Sequence, residues 1–288
     1  MPESSGLTLD ILRRCLQSGY YRGLMQELQR LRSILRRAER VVVAFSGGSD
    51  SALLAWTAHD ELGYGAALAV TAVSASLAAD QESDAESLAA EWGLRWQPVV
   101  TDEMANPAYV ANGADRCAHC KAALMDALEP LARIEAATVV LGVNVDDLGD
   151  RRPGQDAAAV RGARFPLVEA GFTKEAVRTA SRHLGLRTWD KPAAACLASR
   201  LPYGTPVTLG RLTRVESAEA ALAALGLSQV RVRHYGDTAR VEVGEDELTQ
   251  AVTLRHEVVA ALKGAGYRYV TLDLEGFRSG NLNAALAD

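Results

Sequence analysis

Aromatic residues are scarce in this chain, 6% of 288 positions, with only four phenylalanines. All-β folds draw heavily on aromatic and β-branched side chains, whereas much of the 48% hydrophobic fraction here is alanine, the best helix former. The composition leans to a helix-rich α/β chain. Basic charge is also short: 31 Lys and Arg stand against 36 Asp and Glu, a formal net charge of −5. A general nucleic-acid surface is normally basic overall. Nucleic acid is therefore not an expected partner, although a local basic pocket for one phosphorylated molecule stays open. No apolar run approaches the roughly 18 residues of a membrane span, so no membrane is expected. Met1 to Asp10 lacks the charged-then-apolar order of a secretory signal. The four cysteines, Cys15, Cys117, Cys120 and Cys196, are too few and too unevenly spaced for a disulfide framework. Reduced thiols and a cytoplasmic location are the expectation.

What is present is an alternation of strands and helices. Residues 8–38 carry leucines at helical spacing and read as one or two helices. Val41, Val42, Val43 and Phe45 form a continuous apolar run, the mark of a strand covered on both faces. A Gly-rich turn follows, then a helix over Ala52–Leu62. Strands are expected at 66–74, 95–100 and 138–142, with helices at 80–92, 121–128 and 173–184 between or after them. Such spacing implies crossovers and a parallel sheet. Pro192, Pro202, Gly204 and Pro206 mark 189–206 as an ordered loop. Beyond it come a helix at 209–225, a hairpin of 230–233 and 239–243 around Gly236-Asp237, a helix at 245–263 and a last strand at 267–274. The expected fold is α/β, a parallel-sheet domain followed by a smaller α+β domain. Its divisions are an N-terminal helical extension at 1–38, a main domain at 39–200 and a second domain at 201–288. No internal repeat is visible.

Ser46-Gly47-Gly48-Ser49-Asp50-Ser51 lies between strand and helix. Exposed amides and the positive end of the helix dipole make that junction an anion site. Gly47 and Gly48 let the backbone approach a phosphate, and Ser46 and Ser51 add hydroxyls. The turn lacks the closing Lys of a Walker A loop and any G-x-G-x-x-G. Asp50 would repel a bare phosphate, so it implies a bridging Mg²⁺. A plain helix-capping turn is the alternative. Val42–Ser51, VVAFSGGSDS, resembles the PP-loop of ATP pyrophosphatases. That resemblance implies that Ser46, Gly48, Asp50 and Ser51 bind ATP phosphates and Mg²⁺, with adenylation of the substrate and release of pyrophosphate.

Cys117 and Cys120 form a C-x-x-C within RCAHCK, and Cys196 sits in the loop KPAAACLASR. The pair suits structural zinc, a redox couple or an iron–sulfur cluster. Three thiolates cannot close a zinc site alone, but they can hold three irons of a 4Fe–4S cluster and leave the fourth open. A thioredoxin-like role would need the motif at a helix start directly after a strand, whereas 106–115 reads as loop. Cys15, beside Leu12 and Leu16, reads as core.

Taken in order, RCAHCK (116–121), 142–150 with Arg152-Pro153-Gly154, WDKPAAACLASRLPYG (189–204), VRVRHYGD (230–237) and YVTLDLEGFRSGNLN (269–283) closely resemble the LarE family. These are ATP-dependent sulfur transferases of nickel-pincer nucleotide synthesis, and the match runs from about 40 to 283. The resemblance implies a small-molecule substrate, a pyridinium dicarboxylate mononucleotide, whose carboxylate is adenylated and replaced by a thiocarboxylate. Family members either sacrifice a cysteine, which becomes dehydroalanine, or carry three cysteines thought to bind a 4Fe–4S cluster loaded by a sulfide or persulfide donor. Aligned through Ser199-Arg200, the sacrificial position falls at Ala195, which has no thiol. Cys117, Cys120 and Cys196 are therefore the implied metal ligands, Cys196 and Asp50 the implied catalytic residues, and sacrifice of Cys196 the alternative. Ser199, Arg200, Arg231 and Arg233 are implied grips on the substrate phosphate; a solvated strand face is the plainer reading of the last two. Glu219 and Glu242 are acid/base candidates or simple surface carboxylates, and Asp146, Asp147 and Asp150 follow a strand end where ligands bind. Residues 1–38 exceed the family's usual start and suggest an oligomer arm or packing helix; a homo-oligomer is expected. The competing readings are tRNA thiolation, an amidotransferase-type synthetase, and a non-enzymatic ATP sensor or metal store.

Overall fold

The strand Val41–Ala44 (β1) owes its place to having no polar face: Val41, Val42 and Val43 are all buried. Its side chains alternate between two cores, as a pleated strand requires. Val41 and Val43 join Leu31, Leu35, Leu53, Leu54 and Phe172 on one side. Val42 joins Leu68, Val70, Met125, Leu128 and Val139 on the other. These are features of a computed structural model that describes residues 19–149, 153–192 and 195–278. The readings that fell on Cys15 and Asp150, and on the chain before 19 and after 278, lie outside the described residues.

Along the chain come α1 (Gly19–Ala38), β1, α2 (Ser49–Leu62), β2 (Ala67–Val73), α3 (Ala79–Glu91), β3 (Arg95–Val100), a short α4 (Pro107–Val110), α5 (Arg116–Ile134) and β4 (Thr138–Leu141). Then follow α6 (Pro153–Val160), α7 (Pro166–Ala170), α8 (Lys174–His183), α9 (Leu209–Ala224), β5 (Val230–Tyr235), β6 (Thr238–Val243), α10 (Leu248–Thr253), α11 (Arg255–Gly264) and β7 (Tyr269–Leu272). The first sheet has the order β3-β2-β1-β4, with β1 parallel to both neighbours. The expected α/β fold with a parallel sheet is what the chain adopts. β2 and β3 lie on one side of β1 and β4 on the other, so the C-terminal end of β1 is a topological switch point, the usual ligand site of such sheets.

By packing, the chain divides into two units that do not follow sequence order. One takes residues up to 72 with 81–99 and 124–194; the other takes 73–80, 100–123 and 195 onward. The second contains the sheet β5-β6-β7, in which β5 and β6 pair antiparallel around Gly236-Asp237 and β7 adds parallel to β6. Val230, Val232, Val241 and Val243 of this sheet pack with Ala218 and Leu222 of α9 and Val258 and Leu262 of α11.

Two readings needed adjustment. α5 starts at Arg116 rather than near 121, so the C-x-x-C lies on its first turn, although a loop and not a strand precedes it. The expected helix at 245–263 is broken into a short 3-10 turn, α10 and α11.

Candidate functional site

The Gly-rich turn leaves the first turn of α2 without a capping side chain. Gly48 N-caps α2 without any side-chain hydrogen bond to the helix, so the positive helix end is left for a ligand. Gly47 has φ +70°, and a Cβ there would also sit 3.4–3.5 Å from Ala85 and Leu88. Ser51 Oγ donates to the Gly48 carbonyl at 3.1 Å and accepts from the Ser46 amide at 3.2 Å. The Ser46 and Ser51 hydroxyls share a bond of 3.0 Å. The predicted loop residues therefore come together, and they open on a cleft of about 290 Å³. Lys174, Arg178 and Lys191 complete its lining with Gly142.

Several of these partners come from far along the chain. Lys191 Nζ donates to the Gly47 carbonyl at 2.9 Å and pairs with Asp84. Asn144, just past β4, donates through Nδ2 to Asp50 Oδ1 at 3.0 Å. Its side chain also forms a capping box with Asp147, and Asp147 pairs with Lys174 at 3.3 Å. Asp146 accepts from the Lys174 amide at 2.8 Å, so both carboxylates brace the cleft wall. Burial pushes the Asp50 carboxyl up; the Asn144 hydrogen bond opposes this and the Asp147 charge adds to it.

The three described cysteines lie in the second unit, all free. Cys117 is exposed, while Cys120 and Cys196 are half-buried against Tyr109, Leu197, Ala198, Leu201 and Val207. Burial, with the fields of Cys196 and Glu103, pushes the Cys120 thiol up to about 12. The buried Arg116 donates to the Ala198 carbonyl at 2.9 Å and to Asn112 Oδ1 at 2.5 Å. Asn112 in turn donates to the carbonyls of Pro202 and Thr205, each at 2.8 Å. The start of the C-x-x-C helix is thus tied to the Cys196 loop by buried hydrogen bonds. Tyr109, also buried, shares a bond of 2.6 Å with Ser76, and the Leu197 amide donates to the Ser76 carbonyl at 2.8 Å.

The arginines of the second unit are braced by carboxylates. Arg200, 1% exposed, makes a bidentate pair with Glu219 at 2.9 and 2.8 Å and donates to the Cys196 carbonyl at 3.0 Å. Arg233 pairs with Glu242 at 2.7 Å and donates to the Ser199 carbonyl at 3.0 Å. Arg231 stacks on Phe277 at 5.2 Å; burial, with Arg200 and Arg233 nearby, holds it down to about 10. Glu242 is fully buried, which rules out a simple surface carboxylate. Arg231, Arg233 and Glu242 occupy one face of the hairpin, as their alternation predicts.

No protein-family model matches the chain. A pyridinium-3,5-bisthiocarboxylic acid mononucleotide synthase of Lactiplantibacillus plantarum is 40% identical over 88% of the chain and 92% of its own length. The chain belongs to the LarE family. It is thus related to a sulfur-transferring enzyme. An uncharacterized protein of Synechocystis sp. is 46% identical over 91% of the chain and 99% of its own length. A third relative, uncharacterized and from Methanocaldococcus jannaschii, is 24% identical over 88% of the chain.

Two groups expected of this LarE family member can be tested against its residues. Oxygen donors on Asp50, beside an open phosphate-type cleft, fit Mg²⁺, which takes one or two carboxylates and completes its shell with phosphates and water. Among the described residues no three His, Cys, Asp or Glu converge on a single metal ion. A 4Fe–4S cluster holds each thiolate on a different iron, so its ligands need not converge on one point. An all-sulfur donor set at the edge of an apolar cluster, with buried Arg116 beside it, fits such a cluster better than one ion. Sequence reasoning did not single out Gly142, Asn144, Lys174, Arg178 or Lys191 in the cleft, nor Tyr109, Asn112 and Arg116 by the thiols. Arg116, Gly142, Asn144 and Lys191 lay inside the stretches that carry the family resemblance but had no role assigned, and Asn112-Gly113 carried the signal of an Asn-Gly turn; Asn112 does adopt φ 57°.

Proposed function

We propose that this chain uses ATP to adenylate a carboxylate of pyridinium-3,5-biscarboxylic acid mononucleotide and converts it to a thiocarboxylate for a nickel-pincer cofactor. The carrying observation is the cleft at the start of α2. The start of α2, with no capping side chain, the Ser46 and Ser51 hydroxyls and Gly48 line it with Lys174, Arg178 and Lys191, a donor set suited to a polyphosphate. In this reading Ser46, Gly47, Gly48 and Ser51 cradle the phosphates of ATP, and Asp50, oriented by Asn144, would hold a Mg²⁺, which would offset their charge. The carboxylate oxygen attacks the α-phosphorus and pyrophosphate leaves. Sulfur then adds to the acyl carbon and AMP departs with the carboxylate oxygen, so a poor leaving group has been exchanged for a good one.

Cys117, Cys120 and Cys196 are the proposed cluster ligands, and an open iron is where such a group would supply sulfide. Arg116 and Arg200 keep the Cys196 loop in place from two sides. Ser199 and Arg231, with Arg200 and Arg233 braced behind them, are the proposed contacts to the acceptor's anionic groups. In this scheme residues 39–200 form the PP-loop domain and 201–288 the smaller domain, with 1–38 as an extension of a homo-oligomer. Free thiols at three described cysteines suit a reducing cytoplasm and a sulfide or persulfide donor.

The test is anaerobic turnover with ATP, Mg²⁺, sulfide and the biscarboxylic mononucleotide. Pyrophosphate and AMP should form in step with a product in which sulfur has replaced oxygen. Pyrophosphate formed without the mononucleotide, or a product carrying amide nitrogen, refutes the assignment. Iron-free protein in which Cys196 turns to dehydroalanine replaces the cluster with the sacrificial route.

A further inference from the structure

A second cleft lies wholly within the smaller unit and takes no part in the chemistry above. It measures about 440 Å³ and is lined by Thr208, Arg211, Arg214, His234, Gly236 and Asp237. Thr208 caps α9, its hydroxyl accepting from the Arg211 amide at 3.3 Å. The amides that open this 16-residue helix stand outside its own ladder, and no acidic residue occupies its first turn. Gly210 leaves the approach open, with nothing within 4 Å of a Cβ built there.

The cations of this cleft outnumber its one lining carboxylate among the described residues, Asp237. Among the described residues neither Arg211 nor Arg214 forms an ion pair; Arg211 donates to the Pro206 carbonyl at 2.6 Å, and Arg214 lies over the Tyr267 ring at 5.6 Å. His234 is 3% exposed and lines the cleft. Its Nδ1 meets Tyr267 Oη at 3.2 Å. Burial pushes the Tyr267 hydroxyl up to about 12, so it faces the ring as a neutral phenol. His234 Nε2 has no hydrogen-bond partner among the described residues and lines the cleft, where it donates to an anion whenever it carries a proton. Two guanidiniums, a buried imidazole and a helix N-terminus outweigh the single carboxylate of Asp237.

We infer that this cleft binds a phosphate-class oxyanion, held by Arg211, Arg214, His234 Nε2 and the first amides of α9. The site is independent of the sulfur-transfer assignment. Its anion comes either from free inorganic phosphate or from the phosphate tail of a mononucleotide, and both present the same tetrahedral oxygens.

The experiment titrates the full-length chain with inorganic phosphate and, separately, with nicotinamide mononucleotide, following the His234 imidazole by NMR and the heat by calorimetry. Groups facing His234 are Arg211 and Arg214 from α9, Asp237 from the β5–β6 turn and Tyr267 before β7. Burial and the two arginines hold the imidazole below its ordinary pKa. An anion in the cleft stabilises the imidazolium, so phosphate should raise that pKa. Arg211→Gln and Arg214→Gln should each weaken binding about tenfold or more, as loss of a charged hydrogen bond does. Arg214→Lys should recover part of it, and Asp237→Asn should tighten binding. A mononucleotide that binds tighter than phosphate assigns the site to a nucleotide tail; equal affinity assigns it to the free ion. Phosphate heat that leaves the His234 resonances unmoved, or that survives in Arg211→Gln, a half-buried position that should fold normally, places the anion elsewhere and overturns the inference.

Discussion

Replacing Gly142 with alanine should cripple nucleotide activation by pressing on the backbone of Asp50 and Ser51, without altering any phosphate-binding side chain. Gly142 follows β4 and faces the first turn of α2. A Cβ there would lie 2.7 Å from the Ser51 amide nitrogen, 2.8 Å from Ser51 Cα and 2.9 Å from the Asp50 carbonyl carbon. Ordinary contact begins near 3.4 Å, so backbone must separate by about 0.5–0.7 Å. These atoms are backbone, and no flexible side chain can yield instead. The φ of Gly142 is not positive, so the penalty is steric and not conformational. Overpacking of this kind costs about 1–3 kcal/mol of stability. A shift approaching 1 Å in a catalytic constellation costs about 10²-fold in rate, which sets a loss of about tenfold or more for pyrophosphate release. The assay is pyrophosphate release with chemical denaturation of the same preparation, beside Gly23→Ala as control. Gly23 lies within α1 with nothing within 4 Å, so alanine there should be neutral or stabilise by up to about 1 kcal/mol. A Gly142→Ala protein with wild-type KM for ATP and wild-type turnover would refute the reasoning.

Asn144→Ala should weaken ATP·Mg²⁺ binding, because it frees Asp50 and opens the capping box with Asp147; the cap alone is worth about 1 kcal/mol. Calorimetry with a non-hydrolysable ATP analogue checks this, and unchanged affinity contradicts it. Glu135 is held down to about 2 by Arg95 and, next, Arg40. Its folded pKa is depressed, so its contribution is complete above the unfolded value of about 4.5 and is lost as pH falls from there toward 2. Discounted for the exposure of both arginines, it amounts to about 1 kcal/mol. Acid unfolding of Glu135→Gln should show that difference near pH 6 and none near pH 2. Iodoacetamide at pH 8 should label exposed Cys117 in the metal-free protein well before Cys120, whose thiol is half-buried and pushed up to about 12; peptide mass spectrometry reads the order, and equal labelling would contradict it.

How much of the protein could be read in advance follows the range of the interactions. The strand Val41–Ala44, the turn at Ser46–Ser51 and the helix after it are adjacent in sequence, and their geometry is set by local backbone preferences. The same holds for Thr173, which caps α8 as expected, its Oγ1 accepting from Ala176 at 3.1 Å, and for the Gly236-Asp237 hairpin. The start of α5 was harder to see, because Arg116 carries no capping signal and is fixed by distant partners at Ala198 and Asn112.

Local pattern alone therefore determined the α/β alternation, the phosphate-type turn and the presence of three thiols. Only the tertiary structure decided that Lys191 reaches Gly47 across 144 positions and that Asn144 orients Asp50 across 94. It also decided that Arg200 and Arg233 are braced by Glu219 and Glu242, and that Arg211, Arg214 and His234 share a cleft. A lone lysine or asparagine in a sequence has no neighbour to betray it. Its role comes from the pairing of charges and hydrogen bonds in a desolvated space, and that space exists only once the chain has folded.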